Sequence, residues 1–403
     1  MIINYFVTIS FSILGLIIIY LYLDYRGPAR IFIQKDNVFG MSCERAGDLI
    51  VQEYDKEGNL WATRGMIIYM LKLGDNCFCR VAHVPAGLSI FWLYNFTIFR
   101  KLSLRPECME IVISRNGSIC AFAGGSLWYL SDQSDKFVQT KKIRHYGLGI
   151  GRGMLSNGIF CIENRIFFGE YFYNQDKTNV FIYKSMDSGL TWKIAHEFLP
   201  GQIRHIHSLL SDPYTDKVWQ CTGDLDNESM IAWSNDNYVN YFPIIYGNQA
   251  ARAISLVFTE DAVYWGTDTS SKKLAGIYKW DKEKNEITKL LDISAAIFYG
   301  TRLAGGTIVM SSETEGSPLE SDDITRLFLI NNNKIASIEC GSWNVIKKGL
   351  RFSPGRLRCQ RNQGSNFLAI TCLNQKEVSN GELIIVSEES LLSLTKSEQS
   401  QRY

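Results

Sequence analysis

From about residue 45 onward, apolar residues come in short runs broken by small polar ones. Val180-Phe-Ile-Tyr-Lys-Ser185, Gly276-Ile-Tyr-Lys-Trp280 and Arg326-Leu-Phe-Leu-Ile330 are typical, with Gly, Asn, Asp and Ser clusters between such runs. β-branched and aromatic residues bounded by turn formers predict short strands. No sustained period of about 3.6 residues marks a long helix in this body. One segment differs. Ile2 to Leu23 is almost wholly apolar and uncharged. At about 1.5 Å per residue it is long enough to span a hydrocarbon core of about 30 Å. It lacks the basic leader of a cleaved signal peptide, so it predicts a transmembrane anchor. Tyr20, Tyr22 and Tyr25 fit an interfacial aromatic belt. Arg26, Arg30 and Lys35 follow the run, which by the positive-inside rule places the rest of the chain in the cytoplasm. A periplasmic or extracellular placement is the alternative.

The strand-like body repeats. Gln202-Ile-Arg-His205-Ile-His207-Ser208 aligns with Gln249-Ala-Ala-Arg252-Ala-Ile-Ser255. Each leads to a second run ending in an acid, Val218-Trp-Gln-Cys-Thr-Gly-Asp224 and Val263-Tyr-Trp-Gly-Thr-Asp268. Ile166-Phe-Phe-Gly-Glu170 and Thr307-Ile-Val-Met-Ser-Ser-Glu313 repeat that ending. The acids at 170, 224, 268 and 313 are 54, 44 and 45 residues apart. Such a period is that of a propeller blade. The sequence therefore predicts an all-β fold, a six- or seven-bladed β-propeller with seven favoured, preceded by one transmembrane helix. The boundaries read as residues 1–25 anchor, 26–44 linker, 45–395 propeller and 396–403 tail. Six blades result if the first or last is a partial blade that shares strands to close the ring.

Charge narrows the partners. Lys and Arg total 42 against 41 Asp and Glu, a net charge of +1, so no basic field suits nucleic acid. The 10 cysteines include no Cys-x-x-Cys pair. Several lie inside apolar runs and read as small buried hydrophobes in a reducing compartment.

Ser185-Met-Asp187-Ser-Gly189-Leu-Thr191-Trp192 matches Ser-x-Asp-x-Gly-x-Thr-Trp. Asp187 is suited to accept from turn amides, and Gly189 to take a positive φ. This resembles the Asp-box, or BNR, repeat of sialidase-like β-propellers, where the box is a structural turn. Ser234-Asn-Asp236-Asn-Tyr238 looks like a second copy without the glycine. The family's Arg-Ile-Pro-like motif is absent, with Arg30-Ile-Phe32 in its stead.

Histidines two apart on a strand share a face. His205 and His207 do so, and two imidazoles on one face suit a divalent transition metal. Gln202-x-x-His205-x-His207 resembles the manganese motif of oligogalacturonate lyases, which are also β-propellers. The resemblance implies a metal site of Gln202, His205 and His207, with His145 as the further upstream histidine. The ion expected is manganese, zinc or calcium. His83 and His196 carry no pattern and read as structural.

Residues at repeated positions of a propeller converge on one mouth of its channel. That gathers Glu170, Tyr171, Asp224, Arg252, Tyr299 and Arg302 as candidate catalytic residues. The set suits binding of an acidic polysaccharide and proton abstraction, in a lyase or a glycoside hydrolase. The alternative is a non-catalytic propeller that binds glycan or protein partners in envelope polysaccharide assembly. A sialidase-like glycosidase with Tyr299 as nucleophile is a third reading.

Overall fold

A computed structural model describes residues 15–16, 18–85, 95–97, 109–147, 150–332, 334–344 and 354–400. The described chain is mostly β: four four-stranded antiparallel sheets follow one another along the sequence, flanked by a five-stranded sheet near the N-terminus and a nine-stranded one that joins strands from both ends of the chain. One sheet runs Ile206–Ser211, Val218–Thr222, Met230–Ser234 and Phe242–Tyr246 from its inner to its outer edge. The innermost strands are Ile50–Tyr54, Met109–Ile113, Ile159–Ile162, Ile206–Ser211, Ala253–Phe258, Ala296–Arg302 and Gly355–Cys359. They pack on one another in that order around a ring, and Gly355–Cys359 meets Ile50–Tyr54.

Burial falls from the centre outward. Every residue of Ala253–Phe258 is buried, whereas the outer strand Val138–Lys142 is largely exposed. Inner strands are covered on both faces by neighbouring sheets, so they read as continuous apolar runs. Outer strands keep one side in water and alternate. The core accordingly lies between sheets rather than in one central mass. Phe167, Ile182 and Phe198 pack against Ile206, Leu209 and Met230 from the next sheet, and Trp219 and Cys221 against Leu256, Phe258 and Trp265 of the one after. Full burial of each such side chain contributes roughly 1.5–3 kcal/mol.

The ring is closed by the two ends of the chain. Met41–Ala46 pairs with Glu382–Ser387, and Gln34–Val38 adds outside it. Arg30–Phe32 runs along the outer strand Cys77–His83. The linker expected over residues 26–44 is therefore mostly strand. Gln34–Val38 is polar because it is an edge strand with its side chains mostly in solvent. The expected tail at 396–403 begins inside a helix, Glu388–Ser400. Ser387 caps that helix through the Ser390 amide, and Leu391 packs into the core. The N-terminal run is helical at residues 18–26, and residues 1–14 lie outside the described residues. Among the described residues, no helix is long and apolar enough to cross a membrane.

The Asp187 turn forms as its residue types dictate. Asp187 accepts from the Thr191 amide at 2.8 Å and the Ser185 hydroxyl at 2.7 Å. Gly189 has φ +99°, and its amide reaches the Ser185 hydroxyl. The Ser234 turn is built alike. The Tyr238 amide reaches the Ser234 hydroxyl at 2.9 Å, and Tyr238 itself sits at φ +70°. All cysteines among the described residues are free thiols, and most are buried.

Candidate functional site

Repetition puts the sequence-predicted acids at one end of the ring. Glu170 and Asp224 follow second strands ending at Gly169 and Thr222, Asp268 follows the one ending at Thr267, and Glu313 is the penultimate residue of the strand Ile308–Thr314. Inner strands begin at this end, so His205 and His207 arrive here too. Ile206 pairs with Thr222, which brings the two histidines beside Asp224.

His205, His207 and Asp224 form a compact group whose ligand atoms lie within 4.8 Å of one another. The two Nε2 atoms are 3.2 Å apart, and each lies 3.4 Å from an Asp224 carboxylate oxygen. Nδ1 of His205 faces the Phe172 carbonyl at 3.3 Å, and Nδ1 of His207 faces the Ala253 carbonyl at 3.2 Å. A carbonyl only accepts, so both Nδ1 atoms carry protons. Both Nε2 atoms then present lone pairs to each other and to a carboxylate. Three such donors converge stably only around a positive charge, a proton or a metal ion. Second-sphere carbonyls that fix the tautomer in this way are a usual feature of histidine metal ligands. The donor set of two imidazoles and one carboxylate therefore fits a divalent transition metal.

Electrostatics agree with this geometry. Burial lowers the His205 pKa, with His207 adding to the effect and Asp224 opposing it, which favours the neutral ligand form. Burial would raise the pKa of Asp224, but contact with His205 and His207, once an Nε2 carries a proton, outweighs it. The carboxyl is held well below the usual carboxylate range. Arg252 bridges Asp224 at 3.3 Å and Asp268 at 3.0 Å. Arg204 lies 3.8 Å from Asp224 and 3.4 Å from Glu228, which also meets Lys177 at 3.0 Å. The histidines are buried, while Asp224, Arg204 and Arg252 are about a quarter exposed and form the rim. Tyr171 leans on His205 with ring centroids 4.2 Å apart.

The other predicted residues fall elsewhere. Gln202 is exposed, and its amide oxygen accepts from Leu199 at 2.7 Å, closing a turn rather than joining the trio. His145 stacks on Phe172 at 4.0 Å and is outside the trio. Glu170 is buried in a two-pronged pair with Arg144, at 2.8 and 2.6 Å, and accepts a third bond from the Phe181 amide. Tyr299 is buried beside the Ser156 hydroxyl, and Arg302 reaches Tyr214 in the turn at the opposite mouth. Neither meets the trio, because Ala296–Arg302 runs the full depth of the ring.

A buried ionic group escaped the sequence reading. Arg358 grips Glu110 at 2.9 and 2.6 Å, and Arg361 bridges Glu110 and Glu53 at 3.3 Å each. The signal was present in Arg356-Leu-Arg358, whose spacing on a strand is that of His205 and His207.

No protein-family model matches the chain, and no curated protein matches it. Solved structures do resemble it. An oligogalacturonate lyase in complex with manganese superposes with TM-score 0.52 at 12% identity, over 90% of this chain and 98% of that one. YCF48 bound to D1 peptide gives 0.49 at 11% identity, over 85% and 94%. A GH74 enzyme from Niastella koreensis gives 0.47 at 12% identity, over 88% and 61%. The fold is that of the β-propellers. The Asp-box likeness is carried by the Ser185 and Ser234 turns, and no family model stands behind it.

Proposed function

We propose that the chain is a seven-bladed, membrane-anchored propeller that acts on an acidic polysaccharide, with His205, His207 and Asp224 holding a divalent metal. The carrying observation is the convergence of two Nε2 lone pairs and a carboxylate, with both Nδ1 atoms tied to carbonyls. The strand grouping supports seven blades, the last made from both chain ends. The uncharged run Ile2 to Leu23 supports the anchor, and the basic residues after it support a cytoplasmic propeller.

A lyase fits better than a hydrolase. A hydrolase needs two carboxyl groups flanking the bond. Here Glu170 is locked by Arg144, and Asp224 is shared by both histidines. A bound divalent ion would supply the positive charge that neutralises a uronate carboxylate and acidifies the neighbouring C–H. Arg204 and Arg252 flank Asp224 and would orient that carboxylate. Tyr171, whose ring lies against His205, would take up that C–H proton as it gives its hydroxyl proton to the departing glycosidic oxygen, the C–H electron pair forming the double bond as the C–O bond breaks. Manganese is the first ion to test, because the lyase neighbour carries it.

Elemental analysis of the purified full chain tests the site. One equivalent of metal, lost in His205→Ala/His207→Ala, is expected. Polyuronate should then yield an unsaturated product that absorbs ultraviolet light. Absence of stoichiometric metal removes the lyase reading. The non-catalytic glycan-binding reading then gains, and the Arg144–Glu170 lock already favours it, since it takes a buried acid of the mouth out of chemistry.

A further inference from the structure

The N-terminal helix is fastened to the propeller on the mouth that carries the trio. Asp24, at the end of the apolar run, accepts from the Thr97 amide at 2.6 Å and the Thr97 hydroxyl at 2.5 Å. Arg64 reaches Asp24 at 3.4 Å, Thr97 at 2.8 Å and Asp48 at 2.9 Å. The Asp24 and Arg64 side chains are about nine-tenths buried. Tyr25 packs edge-on against His83 at 5.1 Å and lies 6.1 Å from Phe96. A flexible tether would need none of these contacts.

Topology fixes the end of the ring at which they occur. Arg64 closes the second strand of its sheet, the position that Glu170 and Asp224 follow in theirs. Asp48 precedes an inner strand, as His205 and Arg252 do. His83 ends an outer strand paired to Ile67, on the same side. The opposite mouth has its own chain of contacts between turns, Lys56 to Arg115 and Arg115 to Glu163. The chain also enters from the trio's side. Arg30 pairs with Cys79 and Phe32 with Cys77, so this strand descends from the trio's mouth toward the other one. The helix before it therefore lies above the trio's mouth. Its residues Leu16, Ile18, Ile19, Tyr20, Tyr22 and Leu23 are each more than half exposed. Among the described residues nothing covers these side chains, and an apolar helix so exposed suits lipid.

We infer that the Asp24–Arg64–Thr97 latch turns the trio's mouth toward the bilayer, so that the substrate is an acidic glycan attached to, or emerging at, the membrane surface. This rests on the anchor and the site proposed above. The two mouths are separated by the depth of a strand. Ile206–Ser211 has 6 residues, about 20 Å at roughly 3.3 Å each. Polymer free in bulk would meet the lipid-facing mouth only at its edge, whereas a membrane-held chain is presented to it directly.

Energy transfer in vesicles tests the orientation. The full chain is inserted into phosphatidylethanolamine–phosphatidylglycerol vesicles carrying an acceptor-labelled lipid. A donor dye is attached at Asp226→Cys, an exposed loop at the trio's mouth, or at Asp216→Cys, an exposed turn at the other. The unsubstituted chain gives the labelling background. Several-fold greater transfer from position 226 is expected. In Asp24→Asn/Arg64→Ala, the chain should still float with vesicles while the difference between the two positions shrinks. Equal transfer, or more from position 216, in chains that float overturns the inference and leaves the anchor standing. A chain that forms oligomers and does not float overturns both. Metal content, measured separately, decides the trio without reference to orientation.

Discussion

The Nε2 atoms of His205 and His207 face each other across 3.2 Å while each Nδ1 is tied to a backbone carbonyl. Two imidazoles so held repel unless a cation lies between them. Divalent metal is therefore expected to stabilise the folded chain. At about 100 times the dissociation constant, the gain is about 2.7 kcal/mol. Thermal unfolding with manganese and after chelation measures it. His205→Ala should abolish the shift, and a shift that survives in that variant would place the metal elsewhere.

Asp224 closes the group and anchors the rim, with Arg252 on its other side. Asp224→Asn keeps the shape and removes the charge. It should lose metal while the fold survives, and it should free Arg252 to pair with Asp268 alone. Metal titration and circular dichroism separate the two effects. Full metal affinity in Asp224→Asn would take the carboxylate out of the ligand set.

Glu170 has the repeat position of a catalytic acid and the contacts of a structural one. Its partner Arg144 is a third exposed, so the pair is worth less than the roughly 3–5 kcal/mol lost when a fully buried pair is broken. Glu170→Ala should cost about 2 kcal/mol in chemical denaturation and leave metal stoichiometry unchanged. Loss of metal without loss of stability would reverse that assignment.

What was legible follows from what repeats. The strand texture and the acid period exposed the propeller, because every sheet solves the same packing problem. His205 and His207 were legible because a strand puts residues two apart on one face, and Asp224 because it closes a repeated run. Gln202 and His145 came from likeness to a motif, and the local turn and the Phe172 ring claim them instead. Arg302 was placed by its inner strand without regard to which mouth that strand's end reaches. The Arg144–Glu170 and Arg358–Glu110 pairs were hidden because each joins different sheets, at separations of 26 and 248 residues. Closure of the ring through a blade shared by both chain ends was legible as one option, but its outermost strand Gln34–Val38 was not, because it is polar.

Tyr238 occupies the left-handed position that Gly189 holds in the intact copy of the turn. The substitution is tolerated because its ring is buried, 6.2 Å from Phe167 and 6.4 Å from His196. Restoring the motif with Tyr238→Gly relieves about 1 kcal/mol of backbone strain. It also deletes a buried aromatic, which costs about 3–5 kcal/mol. A net loss of about 2–4 kcal/mol is expected from the denaturation midpoint. Unchanged or higher stability would mean that the ring contributes little.

Glu313 gives the fold a pH dependence of unusual sign for a carboxylate. Burial pushes its pKa up to about 7 from 4.5, and Arg356, at 2.6 Å, only partly offsets this. Among the described residues, its second carboxyl oxygen is buried without a hydrogen-bond partner. The folded state thus binds this proton more tightly than the unfolded chain does. The contribution is fully present below about pH 4.5 and is lost as pH rises through about 7, a change of about 3 kcal/mol. Glu313→Gln mimics the protonated form and lacks that loss. The stability of the native chain relative to Glu313→Gln should therefore fall between about pH 5 and about pH 8, read from denaturation midpoints at matched ionic strength. A gap that stays flat, or widens in favour of the native chain, would show that Arg356 holds the carboxylate ionised throughout.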